Sequence, residues 1–128
     1  MAERTADLLA IVAEGDHAGL EAALQAGVDP DTADRWGVTA LAQAAARGDR
    51  QAVRLLLAGG AATDRASDVE NTPLMTAAAR GQVEVMQALL DAGADPAVSN
   101  KWGFGPKDWA SWAANTADIL ALLESRSA

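Results

Sequence analysis

The chain has 128 residues, about the size of one typical domain, and half of them are hydrophobic. It contains no cysteine and only one histidine, which excludes disulfides, thiolate or histidine-clustered metal sites and cysteine nucleophiles. Its net charge is −8, so the protein lacks the excess of basic residues that attracts phosphate backbones and anionic membranes. We therefore expect a protein that uses no cofactor and binds neither nucleic acid nor membranes.

The acidic excess is concentrated near the start of the chain. Residues 1–34 contain eight acidic residues and a single arginine, whereas acidic and basic residues nearly balance afterwards. This pattern is typical of a solubilising surface or of a surface for a basic partner. No stretch approaches the roughly 18 apolar residues that a membrane helix requires, and acids flank the short apolar run near the N-terminus. We expect a cytoplasmic protein.

The sequence repeats with a period of 33 residues. The triplet Ala-Arg-Gly ends at Gly48 and again at Gly81, and the same interval relates further glycines and leucines. The aligned columns include Gly15, Gly48 and Gly81; Gly27, Gly60 and Gly93; and Leu24, Leu57, Leu90 and Leu123. Because periods of 20 to 50 residues indicate stacked arrays, one repeat domain over residues 1–128 is expected. Its units are residues 1–33, 34–66, 67–99 and 100–128.

Each unit is predicted to contain two short helices and an extended connector. In the first unit the second helix is expected to begin near His17, and in the second unit Gly48 separates the two helices. The third unit has the clearest pattern, because Thr72 is a good N-cap and Pro73 suits the first helical position. An apolar stripe follows in each of its helices, and Gly93 is expected to end the second one.

The fourth unit departs from this pattern. Gly105 stands where the threonine cap is expected, and Ala114 replaces the glycine of the turn. Trp109 and Trp112 are expected on the first helix of this unit. In the third unit Glu70 occupies the connector position of a glycine, where a positive φ would cost about 1 kcal/mol.

These units resemble ankyrin repeats. The resemblance rests on Thr72-Pro73-Leu74, Ala77-Ala78, Gly81, Leu89-Leu90 and Gly93-Ala94-Asp95, and on the similar run from Asp34 to Gly48. It implies an all-α solenoid of helix–turn–helix units with hairpin-like connectors, and atypical units at the two ends. The histidine that usually follows Thr-Pro-Leu is absent, which makes the usual hydrogen bonds between neighbouring connectors uncertain.

Catalytic motifs are missing from the sequence. His17 has no companion for acid–base chemistry, the serines lie in no nucleophile elbow, and there is no phosphate-binding glycine loop. The carboxylate pairs, such as Asp29 with Asp31, fall in connectors, where aspartate commonly stabilises turns. We therefore expect no enzymatic activity.

The resemblance implies that the connector tips and the first helices form a concave surface that binds another protein. Aromatic and arginine side chains are typical of binding hot spots. The predicted partner-binding residues are Arg35, Trp36, Val38, Arg47, Asp68, Val69, Asn71, Arg80, Lys101, Trp102, Phe104 and Trp112. The alternative is that the aromatic residues seal the alanine-rich core and that the arginines are solvated charges at helix ends.

The leading functional hypothesis is a monomeric, non-catalytic module that binds a partner protein. Such a module could act as an inhibitor, an immunity protein or a regulator of an enzyme. A structural adaptor or self-associating scaffold is the alternative. The preference for arginine over lysine, together with abundant alanine, indicates a bacterial source.

Overall fold

The computed structural model describes residues 7–126, which form four stacked helix pairs. The elements are α1 (Leu8–Glu14), α2 (His17–Gln25), α3 (Ala40–Arg47), α4 (Arg50–Ala58), α5 (Pro73–Ala79), α6 (Val83–Asp91), α7 (Pro106–Trp109), a 3₁₀ turn (Ala110–Trp112) and α8 (Thr116–Arg126). No strand occurs within residues 7–126, where the only β pairing is an isolated bridge between Ala33 and Thr39. The predicted all-α class is confirmed.

The helices begin where short polar side chains cap them. The side chains of Asp16, Thr39 and Asp49 each accept a hydrogen bond from the backbone N–H three residues ahead, and Thr72 does the same for Met75. Each cap satisfies one of the amides that a helix start leaves without a partner. Gly48 reverses the chain after α3 with a φ of 71°, as the glycine column predicts.

The helices form two layers with the core between them. Helices α1, α3, α5 and α7 stack as an inner layer, and α2, α4, α6 and α8 stack as an outer layer. Leu41 and Leu74 in the inner layer and Met86 and Leu89 in the outer layer are fully buried, as the repeat predicts. The buried alanines of α3 and α5 let these helices pack closely. None of the helices in the described range is long and apolar enough to cross a membrane.

Polar contacts connect neighbouring units of the outer layer. Nε2 of His17 lies 2.8 Å from both carboxylate oxygens of Asp49, which also caps α4. One unit further on, Arg50 pairs with Glu84 at 2.6 Å. A third pair joins Asp91 to Arg126 at 2.7 Å. These three pairs therefore join successive units along the outer layer.

The fourth unit corrects one expectation. Trp109 ends α7 after only four residues, and Trp112 lies in the 3₁₀ turn rather than in the same α-helix. The chain becomes extended at Ala113, and the hydroxyl of Thr116 donates to two carbonyls of this turn. Gly105 provides no capping side chain, and Ala114 stands where the other units have the turn glycine, so neither signal that defines a full-length helix is present here. Residues 1–6 of the first predicted unit and residues 127–128 lie outside the described residues.

Candidate functional site

The connectors of the second, third and fourth units end in the same tight turn. In each, the first residue of the turn accepts a backbone hydrogen bond from the residue three positions on: Asp34 from Gly37, Ser67 from Glu70, and Asn100 from Gly103. Side-chain oxygens of the first residues also accept from amides within the turn. The three tips therefore share one conformation, and residues at equivalent positions lie in rows along the stack.

Neighbouring tips are joined by hydrogen bonds. The amide of Asp68 donates to the carbonyl of Trp36 at 2.9 Å, and the amide of Lys101 donates to the carbonyl of Val69 at 3.0 Å. Behind them, the side-chain amide of Asn100 donates to the side-chain oxygen of Asn71 at 2.9 Å. The connectors are thus linked without the family's usual histidine, and the backbone holds the rows in register.

The tips carry a row of mostly exposed side chains, which we call the tip ridge: Arg35, Trp36, Asp68, Val69, Glu70, Lys101 and Trp102. Trp36 and Trp102 are 57% and 59% exposed, and neither belongs to the buried core. Val69 between them is half-buried. The guanidinium carbon of Arg35 lies 4.4 Å from the centre of the Trp36 ring, so Arg35 covers one face of this ring in a cation–π contact.

An aromatic cleft of about 500 Å³ opens beside the ridge on the fourth unit. Its walls are Phe104, Lys107, Asp108, Trp109, Ser111 and Trp112. Phe104 and Trp112 were predicted to bind a partner, and both are exposed. Sequence reasoning did not place Trp109, Lys107, Asp108 and Ser111 in the binding site, and the three-residue spacing of Trp109 and Trp112 is the signal that could have joined these two residues.

Trp109 has an unusual environment. Its side chain is partly buried against the core, and its buried indole Nε1–H has no hydrogen-bond acceptor within residues 7–126. Buried donors without a partner cost about 1–3 kcal/mol. The same residue lines a second, smaller hollow of about 150 Å³ with Asn71, Met75, Thr76, Ala79 and Arg80. Trp109 therefore lines both the aromatic cleft and the smaller hollow.

The predicted site residues lie on the connector tips, the inner helices and the 3₁₀ turn, but they do not form one pocket. Phe104 and Trp112 line the aromatic cleft, and Asn71 and Arg80 line the smaller hollow. Val38 occupies the position of Asn71 and Phe104 in the connector of the second unit, and it is half-buried. Arg47 joins neither hollow, because its guanidinium lies toward the first unit, 3.8 Å from where a Cβ on Gly15 would stand.

Several basic side chains of the tips and inner helices have no acidic partner among the described residues. Within residues 7–126, the ion pairs of the arginines involve only residues outside the tips and inner helices: Arg50, Arg65 and Arg126. By contrast, Arg47, Arg80, Lys101 and Lys107 form no ion pair with any described residue and are exposed. The tips and inner helices therefore offer charges that remain available to another molecule.

The described residues contain no group of His, Asp and Glu side chains that could hold a metal ion. His17, the residue with the best acid–base chemistry, joins the first two units through Asp49 and is partly buried. The contact with Asp49 gives His17 a structural role at the junction of the first two units.

The family model for ankyrin repeats matches residues 8–100 with three copies. The chain belongs to the ankyrin repeat family. Ankyrin repeats are generally protein–protein interaction modules, and the family is typically non-catalytic. No curated protein matches the chain. The fourth helix pair follows the matched region and continues the stack, since α7 packs on α5 and α8 packs on α6.

Proposed function

We propose that this ankyrin repeat protein is a monomeric, non-catalytic module that binds a partner protein through its tip ridge, inner helices and aromatic cleft. In this proposal residues 1–128 act as one domain, and the fourth unit belongs to the binding surface. The observation that carries the proposal is the exposure of four large aromatic side chains on the connectors and the fourth unit: Trp36 at 57%, Trp102 at 59%, Phe104 at 50% and Trp112 at 77%.

Exposure of this kind favours binding on energetic grounds. Each apolar square ångström removed from water stabilises a complex by about 25 cal/mol before the costs of association are counted. Tryptophan and arginine are the residue types most enriched among hot spots. Here the tip backbones are fixed by hydrogen bonds, so less conformational freedom is lost when a partner covers them.

The class of partner that fits best is an enzyme or regulatory protein with a protruding segment. A ridge flanked by an open cleft of about 500 Å³ suits a segment that lies along the tips and inserts one apolar side chain. An inhibitor, an immunity protein or another regulator of an enzyme would all use such a surface. When the partner is an enzyme, we expect its activity to fall on stoichiometric addition of this protein.

Affinity capture from the source organism tests the proposal. The baits are the wild-type protein, the double variant Trp36→Ala/Trp102→Ala, and Arg54→Ala as a control on the exposed outer helix. We expect the wild type and the control to retain the same protein and the double variant to lose it. Retention by all three baits contradicts this site. Self-association of the pure wild type in light scattering, without a heterologous partner, would support a scaffold instead.

A further inference from the structure

The charges on the tip ridge alternate from unit to unit. Arg35, Asp68 and Lys101 occupy the same position of the second, third and fourth tips, and all three are exposed. Glu70 adds a second exposed carboxylate to the middle tip. Because the three tips have the same turn and are hydrogen-bonded in register, the ridge presents a positive, a negative and a positive site in a row.

The fold itself makes little use of this alternation. None of these four side chains forms an ion pair with another residue of the described range. Adjacent helical units are spaced by about 10 Å, which exceeds the Debye length of about 8 Å at physiological ionic strength. Attraction between exposed charges at that separation is largely screened. The charges are thus more useful to a ligand that approaches them closely.

Glu70 strengthens this interpretation, because its backbone is strained. Its φ is 66°, while the equivalent residues are glycines with φ of 77° at Gly37 and 85° at Gly103. A glycine would adopt this conformation at no steric cost. The middle tip instead keeps a carboxylate, and strained residues that surrounding structure maintains are typical of functional sites.

We propose that the tip ridge binds an extended, polyproline-II-like segment of the partner with the charge pattern acid-x-x-base-x-x-acid. This inference rests on the proposed function and names the segment that the same surface recognises. The basic side chain faces Asp68 and Glu70, and the two acidic side chains face Arg35 and Lys101. The pattern is symmetric, so the charges alone allow either chain direction.

The spacing selects this conformation. A polyproline-II helix has three residues per turn and rises about 3.1 Å per residue, so every third side chain lies on one side at intervals of about 9 Å. This interval is close to the spacing of the units. In a β-strand, residues three apart point to opposite faces. Exposed tryptophans such as Trp36 and Trp102 also suit this ligand, since aromatic surfaces commonly recognise polyproline-II segments.

Peptide display provides the first experiment. A library of random peptides of about 16 residues, long enough for three charges on one face of a helix, is selected on the immobilised full-length protein and counter-selected on Trp36→Ala/Trp102→Ala. We expect enrichment of acid-x-x-base-x-x-acid. Enrichment of charges spaced by seven residues, as one face of a helix would present them, overturns the inference. So does a selection that yields no pattern, or no binding peptide at all.

Charge exchange provides the second experiment. The enriched peptide and its charge-inverted counterpart are titrated by fluorescence anisotropy, and we expect the inverted peptide to bind roughly tenfold more weakly. The variant Arg35→Asp/Asp68→Arg should instead prefer base-x-x-acid-x-x-acid. The matched control is Arg50→Glu/Glu84→Arg, which exchanges an outer ion pair at unchanged net charge and should keep the wild-type preference.

Two further results separate the possible failures. If the Arg35→Asp/Asp68→Arg variant loses peptide affinity only in proportion to a lower melting temperature, the charges serve folding and the inference is wrong. If a captured partner depends on Trp36 and Trp102 but is unaffected by the exchange, the charge pattern is wrong and the proposed function remains. A partner that binds without the two tryptophans contradicts the proposed function itself.

Discussion

The third and fourth units have different side chains at the same repeat positions, and the helices that follow differ in length. In the third unit, Thr72 caps a seven-residue α5, and Met75 behind it is buried. In the fourth unit, Gly105 supplies no capping side chain, and α7 has four residues. The position of Ala79 in α5 is occupied by Trp112, which is 77% exposed.

Under the proposed function, this difference assigns stability to the third unit and recognition to the fourth. The third unit lies between two neighbours, and both its helices bury large side chains. The fourth unit presents Trp102, Phe104 and Trp112 to solvent, and the buried indole N–H of Trp109 has no acceptor in the part of the chain that the structure describes. Natural proteins commonly accept such local costs at functional sites. We therefore expect substitutions in the third unit to act on folding and those on the fourth-unit tip to act on affinity.

The largest effect is expected in the core of the third unit. Met86→Ala and Leu89→Ala each remove a side chain that is fully buried, and each should lower the free energy of unfolding by about 2–4 kcal/mol. Chemical denaturation measures this change. Leu122, one period after Leu89, is only partly buried, so Leu122→Ala should cost less. Equal losses at the two leucines would remove the proposed distinction between the units.

The next effect is on binding at the fourth tip. Trp102→Ala should weaken the complex with the partner by about 2 kcal/mol, as loss of a hot-spot tryptophan does. Because its side chain is 59% exposed, the denaturation midpoint should change little. Calorimetric titration and denaturation of the same variant measure both quantities. Unchanged affinity together with a large drop in stability would make Trp102 a structural residue.

Local sequence signals predicted the stack well because each has a direct physical cause. The glycine columns mark left-handed turns, and the Thr72 cap and the buried Leu89 follow from helix geometry. Trp36 and Trp102 could be placed on the tips by the repeat register alone. The 3₁₀ turn at Trp112 and the cleft around Trp109 depend on how the fourth unit packs, which the repeat alignment does not contain. The prediction that Trp112 lies on the first α-helix of the fourth unit was therefore wrong.

The helix cap provides a smaller test of the same contrast. Thr72 is fully buried, and its hydroxyl oxygen accepts a hydrogen bond from the amide of Met75 at 3.4 Å. Thr72→Ala should cost about 1–2 kcal/mol of unfolding free energy, while Thr72→Ser keeps the capping oxygen and should cost less. Thermal and chemical denaturation check both variants. If serine and alanine behave alike, the hydroxyl is not what stabilises α5.

The smallest effect should be a gain. Glu70 holds a φ of 66° at a position that suits glycine, so Glu70→Gly should raise the free energy of unfolding by about 0.5–1 kcal/mol. The greater freedom of glycine in the unfolded chain reduces the gain but should not cancel it. Glu70→Ala removes the carboxylate and keeps the strained backbone, so it should not be stabilising.

A midpoint that rises equally for glycine and alanine would assign the cost to the negative charge. A midpoint that rises for glycine alone, with weaker binding of a basic segment, would mean that the middle tip gives up stability to present its carboxylate.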